Sequence, residues 1–271
     1  MQKLSIWTFL VLFLFLPAIG QGAAPPVILA ETACVMEVGS KKVLFGKDES
    51  KIMYPASTTK IVTLMVALER GKLDSAVTVN SRAVDYEGSS MELQAGDRLT
   101  LDDLLGGLMI ASGNDAAEVI AEYVGGGKRE QFISWMNEKA VQAGALKTHF
   151  SNPHGLPDPY NHYSTAYDLA LITSRGFADP QFARFANLRQ RDVVTANGRK
   201  ISLQTHNKFL NQYTGANGVK TGYTNDAGLC LVASAKRDGV QLVAVVLNSD
   251  ERVRDAMALL DYGFQRLSQK S

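Results

Sequence analysis

The stretch Tyr54-Pro55-Ala56-Ser57-Thr58-Thr59-Lys60 runs directly into the apolar segment Ile61-Val62-Thr63-Leu64-Met65-Val66-Ala67-Leu68. Its proline suits the start of a helix, and no helix-breaking residue follows until Gly71. Ser57 and Lys60 are three residues apart, so their side chains leave the same face of the predicted helix. The helix N-terminus adds unpaired N–H groups and positive potential, which favour negative charge near the serine. The spacing therefore indicates a serine nucleophile with a lysine as its base, at the start of a buried helix.

Ser-x-x-Lys spacing also arises by chance in many helices, where the serine caps the helix and the lysine is solvated. That alternative stays open for the pair alone. Only further motifs elsewhere in the chain can distinguish the two interpretations.

The composition and the first residues indicate a compartment. The chain has 271 residues and a net charge of +1, with no basic stripe, so it is long enough for a catalytic domain and no nucleic-acid partner is predicted. Residues 1–20 combine Lys3, an apolar run over Leu4–Leu16 and small residues before Gly20, which predicts a secretory signal peptide. An uncleaved N-terminal anchor is the alternative. Either one places the protein outside the cytoplasm, secreted or in the cell envelope.

The cysteines and histidines favour structural roles. Cys34 and Cys230 lie in strand-like apolar runs. We expect two buried thiols rather than a disulfide or a nucleophile, because a reactive cysteine needs an electropositive, partly open site. The four histidines lack paired ligand spacing, so neither a metal site nor a cofactor is predicted.

Hydrophobic periodicity predicts strands at both ends of the chain and helices between them. Two strands joined at Gly39-Ser40 precede the Ser57 helix, and three antiparallel strands over 218–248 precede a closing helix at about 251–267. This pattern predicts an α+β fold, with a five-stranded antiparallel sheet flanked by helices and a mostly helical insertion. The predicted organisation is a signal peptide (1–20), a linker (21–32) and a single catalytic domain (33–271), with the sheet from about 33–56 and 205–271 and the insertion from about 75–200.

Within the insertion, turn and capping signals set the element boundaries. Thr100 with Asp103 predicts a capping box, and Ser164 predicts the cap of a later helix. Asn197-Gly198 predicts a hairpin turn.

Three short motifs stand in order along the chain: Ser57-Thr58-Thr59-Lys60 at a helix start, Ser112-Gly113-Asn114 between two helices, and Lys220-Thr221-Gly222 on a strand. This order resembles the superfamily of penicillin-binding proteins and class A β-lactamases. The sequence is most similar to the low-molecular-mass D-alanyl-D-alanine carboxypeptidases, from about Ala33 to Phe264. Further stretches carry the resemblance: Gly88-Ser89-Ser90-Met91, Ala111 to Ala117, Asn152-Pro153-His154-Gly155-Leu156, Ser164 to Ala170, Val219 to Asn225 and Leu231 to Ala235.

The resemblance implies a serine peptidase that removes the terminal D-alanine of peptidoglycan stem peptides and is acylated by β-lactams. Ser57 would be the nucleophile and Lys60 its base, with Lys220 as a second cation that promotes the neutral form of Lys60. Ser112 would relay a proton to the leaving group, and Asn114 would bond Lys60 or a substrate amide. The oxyanion hole would consist of the backbone N–H groups of Ser57 and Tyr223.

Substrate binding is expected along the Lys220 strand. Gly222 shares a strand face with Lys220 and leaves room for the backbone of an extended peptide. Arg252 matches the arginine that binds the terminal carboxylate in relatives, helped by Thr221. Arg254 is the fallback for that role, and a solvated Arg252 at a helix start is the structural alternative.

The chain also departs from its relatives. It ends at Ser271 soon after the last predicted helix, where many relatives carry a β-rich domain and an anchor helix, so neither is expected. Tyr223 stands where some relatives have histidine. We expect His154 to serve a structural turn, and the protein to be a monomer.

Three functional alternatives remain beside the carboxypeptidase. A class A β-lactamase needs a glutamate for deacylation, and no convincing Glu-x-x-Leu-Asn segment lies between Asn114 and Lys220. A non-catalytic peptidoglycan-binding protein would not need the intact motifs. Endopeptidase action on cross-links is a variant of the same chemistry.

Overall fold

The computed structural model of the protein describes residues 24–269, and the predicted signal peptide lies outside them. The strands are β1 (Thr32–Glu37), β2 (Val43–Lys47), β3 (Ala76–Thr78), β4 (Arg98–Thr100), β5 (Gln190–Val194), β6 (Lys200–Gln204), β7 (Ala216–Thr224), β8 (Gly228–Arg237) and β9 (Val240–Leu247). The helices are α1 (Lys60–Arg70), α2 (Leu101–Ile110), α3 (Asn114–Val124), α4 (Arg129–Ala143), α5 (Ala166–Gly176), α6 (Pro180–Ala186), α7 (Phe209–Gln212) and α8 (Arg252–Ser268). None of the helices between residues 24 and 269 is both long and apolar enough to cross a membrane.

One five-stranded sheet joins the two ends of the chain. Its order is β2-β1-β9-β8-β7, and every neighbouring pair is antiparallel. β1 pairs with β9 along its whole length, from Thr32 opposite Leu247 to Glu37 opposite Leu242. The predicted α+β fold and its sheet are therefore confirmed, and β7 is left as an edge strand.

The sheet separates two hydrophobic layers, because successive strand residues point to opposite faces. Cys34 and Met36 pack among the helices of the insertion, whereas Ala33 and Val35 pack against α8. Both cysteines are free and buried, as predicted, and burial raises the pKa of the Cys34 thiol to about 12. The helical layer holds α1 against the sheet and so fixes the residues before it.

The insertion is less purely helical than predicted. It contains two small ribbons, β3 with β4 and β5 with β6, and the second forms the hairpin predicted at Asn197-Gly198. The capping box of Thr100 and Asp103 is confirmed at α2. The cap predicted at Ser164 is wrong by one residue, because Thr165 accepts the bond from the Asp168 N–H. The Ser164 hydroxyl instead bonds Thr148.

The segment before β1 is docked rather than a free linker. The backbone N–H groups of Leu29 and Ala30 donate to Asp255 Oδ2 at 2.9 and 2.8 Å, and Ala30 is fully buried. Asp255 lies in the first turn of α8, where its carboxylate also accepts a bond from Ser249. Packing therefore begins before residue 33, since a carboxylate far along the chain supplies the partner for this segment.

Candidate active site

Ser57 lies in a single 3-10 turn, Ala56–Thr59, that leads directly into α1. Ala56 has a φ of 47°, an unfavourable conformation for a residue with a side chain, and it precedes the serine immediately. Among the described residues, the Ser57 N–H has no backbone partner. Ser57 lines the cleft described below, so an incoming oxygen there could accept a bond from this donor.

Lys60 begins α1 and is completely buried. Its Nζ atom lies 3.0 Å from Ser57 Oγ, 2.7 Å from Asn114 Oδ1 and 2.8 Å from the His154 carbonyl oxygen. Burial holds the pKa of Lys60 well below its ordinary value, Lys220 lowers it further, and Asp115 opposes them.

The partners of Lys60 orient its lone pair. The side-chain amide of Asn114 donates to the Glu87 carbonyl at 2.5 Å, so its oxygen must face Lys60. This oxygen and the carbonyl of His154 can only accept, and a neutral amine uses both of its N–H groups on them. The lone pair is then directed at the Ser57 hydroxyl, which is the geometry of a general base.

Lys220 supplies a second buried cation. It lies on β7, only 3% exposed, and its Nζ donates to the Thr221 carbonyl at 3.2 Å. Burial and then the charge of Arg252 lower the pKa of Lys220 to about 7. Arg252 lines the cleft and Lys220 lies buried close by, so their positive charges favour an anion there.

Ser112 lies on the connection between α2 and α3 with a φ of 59°. Its side chain is buried and lines the cleft. Within residues 24–269, it makes no hydrogen bond to Lys60 or Lys220. The proton relay expected of Ser112 therefore stays a prediction.

Arg252, and not Arg254, lies in the cleft. Its Nη1 donates to the carbonyl oxygens of Gly222 at 2.8 Å and Cys230 at 3.2 Å. The side chain of Arg254 is 59% exposed and lies 3.8 Å from Asp255. Arg252 is thus the one of the two arginines that lines the cleft, and its role in binding a carboxylate stays a prediction.

These residues surround a cleft of about 430 Å³ between the edge strand β7 and the helical insertion. Gly222 approaches the Ser57 turn so closely that a Cβ atom there would lie 3.1 Å from Ser57 N. Lys60 and Lys220 are buried behind the wall of the cleft. The lining residues are Ser57, Gly88, Ser89, Ser112, Asn114, His154, Gly155, Leu156, His206, Thr221, Gly222, Tyr223, Thr224 and Arg252.

Sequence reasoning missed a buried carboxylate that holds one wall of this cleft. Asp115 accepts hydrogen bonds from the Ser90 hydroxyl and from the N–H groups of Met91 and Leu93. The loop it anchors contains Gly88 and Ser89, which line the cleft. An acidic residue directly after Asn114, in the first turn of α3, was the available signal.

The loop residue His162 was also missed as a contact of the Ser57 turn. Its Nε2 lies 2.8 Å from the hydroxyl of Thr59, and the imidazole is buried. Burial lowers the pKa of His162 to about 3, so the ring is neutral at physiological pH.

Among residues 24–269, no three His, Cys, Asp or Glu side chains are grouped to hold a metal ion. The contact between Lys60 and Ser57 is the arrangement that acyl transfer to a serine hydroxyl requires.

Comparison with known proteins places this geometry in one family. Residues 19–251 match the family of peptidase S11, D-alanyl-D-alanine carboxypeptidase. The chain is 35% identical over 245 residues to D-alanyl-D-alanine carboxypeptidase DacF of Bacillus subtilis, covering 88% of this chain and 62% of that protein. It is 34% identical over 242 residues to DacB2 of Mycobacterium tuberculosis, covering 87% and 82%. The chain thus spans less than two thirds of the length of the Bacillus relative.

Solved structures agree with this assignment. The DD-transpeptidase of Streptomyces K15 superposes with a TM-score of 0.84 at 33% identity, covering 89% of this chain and 99% of that one. The chain therefore belongs to the D-alanyl-D-alanine carboxypeptidase family of serine peptidases.

Proposed function

We propose that the protein is a serine-type D-Ala-D-Ala carboxypeptidase that removes the terminal D-alanine of peptidoglycan stem peptides through an acyl-enzyme on Ser57. The 3.0 Å contact between Lys60 Nζ and Ser57 Oγ carries this proposal. It joins a nucleophile to a base whose burial favours the neutral amine. β-Lactams are expected to acylate the same hydroxyl.

Acylation begins with transfer of the Ser57 proton to Lys60. The serine oxygen attacks the carbonyl carbon of the D-Ala-D-Ala bond, and the resulting oxyanion accepts from the N–H groups of Ser57 and Tyr223. Collapse breaks the C–N bond and expels D-alanine, whose amine takes the proton back from Lys60 by way of Ser112. Water then hydrolyses the ester and restores the serine.

The positive end of the cleft selects the substrate. The free carboxylate of the terminal D-alanine would pair with Arg252, and Lys220 and Thr221 would complete its binding site. Gly222, on the same edge strand, admits the peptide backbone close to Ser57. A bond inside a linear peptide offers no carboxylate at this position, so a free terminal D-alanine is the substrate that this part of the cleft fits.

The same proposal covers location and organisation. Residues 1–20 would direct export, so that the enzyme acts on the cell wall outside the cytoplasm. Residues 33–271 would form one catalytic domain that works as a monomer. Neither a cofactor nor a metal is needed for the steps above.

One experiment tests the proposal against its alternatives. The exported protein is incubated with penicillin and, separately, with a peptide ending in D-Ala-D-Ala, and the adduct mass and released D-alanine are measured. We expect a persistent adduct and D-alanine release, both lost in Ser57→Ala and retained in Ser134→Ala, an exposed serine on α4. Rapid turnover of penicillin would favour a β-lactamase. D-Alanine release by Ser57→Ala would refute the serine mechanism.

Transfer of the acyl group to an amine is the second candidate, because the Streptomyces K15 structure is that of a DD-transpeptidase. Adding an amine acceptor such as glycylglycine to the peptide assay separates the two outcomes. A new peptide product that grows with acceptor concentration would show transpeptidation, whereas D-alanine release without such a product would show hydrolysis.

A further inference from the structure

Glu118 is a buried carboxylate that the steps above do not use. It lies on α3 one turn beyond Asn114, and its side chain is only 5% exposed. Arg129 holds it with two bonds, from Nε at 2.7 Å and from Nη2 at 2.9 Å. The Nε2 atom of His154 lies 3.1 Å from Glu118 Oε1. A carboxylate so enclosed must serve a specific contact, because burying one without partners is costly.

The contacts of His154 determine where its proton lies. Its Nδ1 accepts a bond from the Leu156 N–H at 3.1 Å, so the ring proton is on Nε2 and is donated to Glu118. Burial lowers the pKa of His154, and the bond to Glu118 opposes this effect without reversing it. The pair is therefore a neutral imidazole held by a carboxylate.

The backbone of His154 reaches the catalytic residues. Its carbonyl oxygen accepts the 2.8 Å bond from Lys60 Nζ. The next residue, Gly155, has a φ of 95°, and a Cβ atom there would lie 1.9 Å from the Ala56 carbonyl oxygen and 3.0 Å from Ser57 N. Any shift of this turn would thus move both Lys60 and the Ser57 turn.

We propose that Glu118 is a positioning residue for Lys60: it fixes the His154 imidazole, and through it the carbonyl oxygen that orients the lysine amine. The proposal rests on the carboxypeptidase function proposed above. α3 then controls both acceptors of Lys60, directly through Asn114 Oδ1 and indirectly through Glu118 and His154. Misplacing a reacting group by about 1 Å can cost roughly 100-fold in rate.

Loss of this support would also change the surroundings of Lys60. Burial is the main reason that its pKa is low, so a loosened His154 turn that admits water would raise the pKa. Four described groups interact with Lys60 through their charges. Lys220 on β7 and Asp115 on α3 shift the pKa of Lys60, and Lys60 lowers the pKa of His154 and His162 on the loop before α5.

The test compares penicillin acylation rates across pH for wild type, Glu118→Ala, Glu118→Gln and Glu122→Gln. Glu122 is the matched control, because it lies one turn further along α3, and the cavity it borders with Glu118 is separate from the cleft. For Glu118→Ala we expect a roughly 10- to 100-fold slower rate, with the acid limb of the profile shifted to higher pH. Glu118→Gln, whose amide oxygen can still accept from His154, should recover part of the rate.

Thermal unfolding separates positioning from simple loss of structure. If Glu118→Ala is acylated at the wild-type rate, or loses rate only in proportion to its unfolded fraction with an unchanged pH profile, the inference is wrong. An equal loss in Glu122→Gln would also overturn it. Failure of the wild type itself to react with penicillin would instead refute the function on which the inference rests.

Discussion

The guanidinium of Arg252 donates a 2.8 Å hydrogen bond to the carbonyl oxygen of Gly222, which joins the first turn of α8 to the edge strand β7. This bond holds the arginine at the cleft, close to Lys220. The pKa of Lys220 is lowered by burial and then by the charge of Arg252. These contacts hold the guanidinium where we propose that the substrate carboxylate binds.

Replacing Arg252 by leucine should weaken the reaction with D-Ala-D-Ala peptides. Hydrogen bonds to charged groups contribute about 1.5–3 kcal/mol, so we expect kcat/KM for D-alanine release to fall roughly 10- to 150-fold. The kcat/KM of Arg252→Lys should lie between those of wild type and Arg252→Leu, since an ammonium group keeps the charge but lacks the planar guanidinium that binds a carboxylate with two hydrogen bonds. Arg254→Leu is the control, because its side chain is 59% exposed. Equal losses in the two leucine variants would contradict the assignment.

Acylation should have a bell-shaped dependence on pH. Burial and Lys220 lower the pKa of Lys60, so the rate should fall at acid pH as this base becomes protonated. Burial and Arg252 lower the pKa of Lys220 to about 7, and above that pH its charge is lost from the cleft. The measurement is the rate of penicillin adduct formation from about pH 5 to about pH 10.

Lys220→Arg identifies the alkaline limb of that profile. A guanidinium stays charged throughout the range, so the alkaline limb should disappear while the acid limb remains. An alkaline limb that persists unchanged in this variant would show that another group causes it.

The predicted positions of the three short motifs, at a helix start, between two helices and on a strand, are confirmed because local signals define each of these elements. Thr100 with Asp103 marks the start of α2 in the sequence and in the structure. The five-stranded sheet followed from strands at both chain ends, whose hairpins leave few ways to pair. Local sequence patterns therefore predict well on which helix, strand or connection each motif lies.

The contacts that tune the site could not be predicted in this way. Glu118 and His154 are separated in the sequence by a helix and a loop, although their side chains are in contact. The hydrophobic periodicity of α3 does not show whether a carboxylate on this helix is buried or solvated. Asp255 meets Leu29 from the far end of the chain. Such partners are set by tertiary packing, which also sets the burial that lowers the pKa of Lys60.

Stability should also depend on pH through the buried lysines. The pKa of Lys220 is about 7 in the folded protein against 10.5 ordinarily, so the unfolded chain binds more protons between these values. Burial of the charged Lys220 therefore destabilises the folded protein. This effect has its full size below about pH 7 and disappears as the pH rises to 10.5. Lys220→Met removes it. We therefore expect the free energy of unfolding of this variant, relative to wild type, to be highest near neutral pH and to decline toward alkaline pH. Urea denaturation at several pH values measures this difference, and a constant difference would contradict it.

Gly222→Ala should disturb the nucleophile without unfolding the protein. The added Cβ atom would lie 3.1 Å from Ser57 N and 3.2 Å from the Pro55 carbonyl oxygen, closer than ordinary contact. β7 and the Ser57 turn must then separate by a few tenths of an ångström, which would misplace the N–H groups of Ser57 and Tyr223 that we propose bind the oxyanion. We expect penicillin acylation to slow roughly 10- to 100-fold. Gly39→Ala is the matched control: this glycine lies in the turn between β1 and β2, and, its chain neighbours aside, no atom of residues 24–269 lies within 4 Å of a Cβ atom added there. Acylation of Gly222→Ala at the wild-type rate would show that the edge strand is not held against the nucleophile.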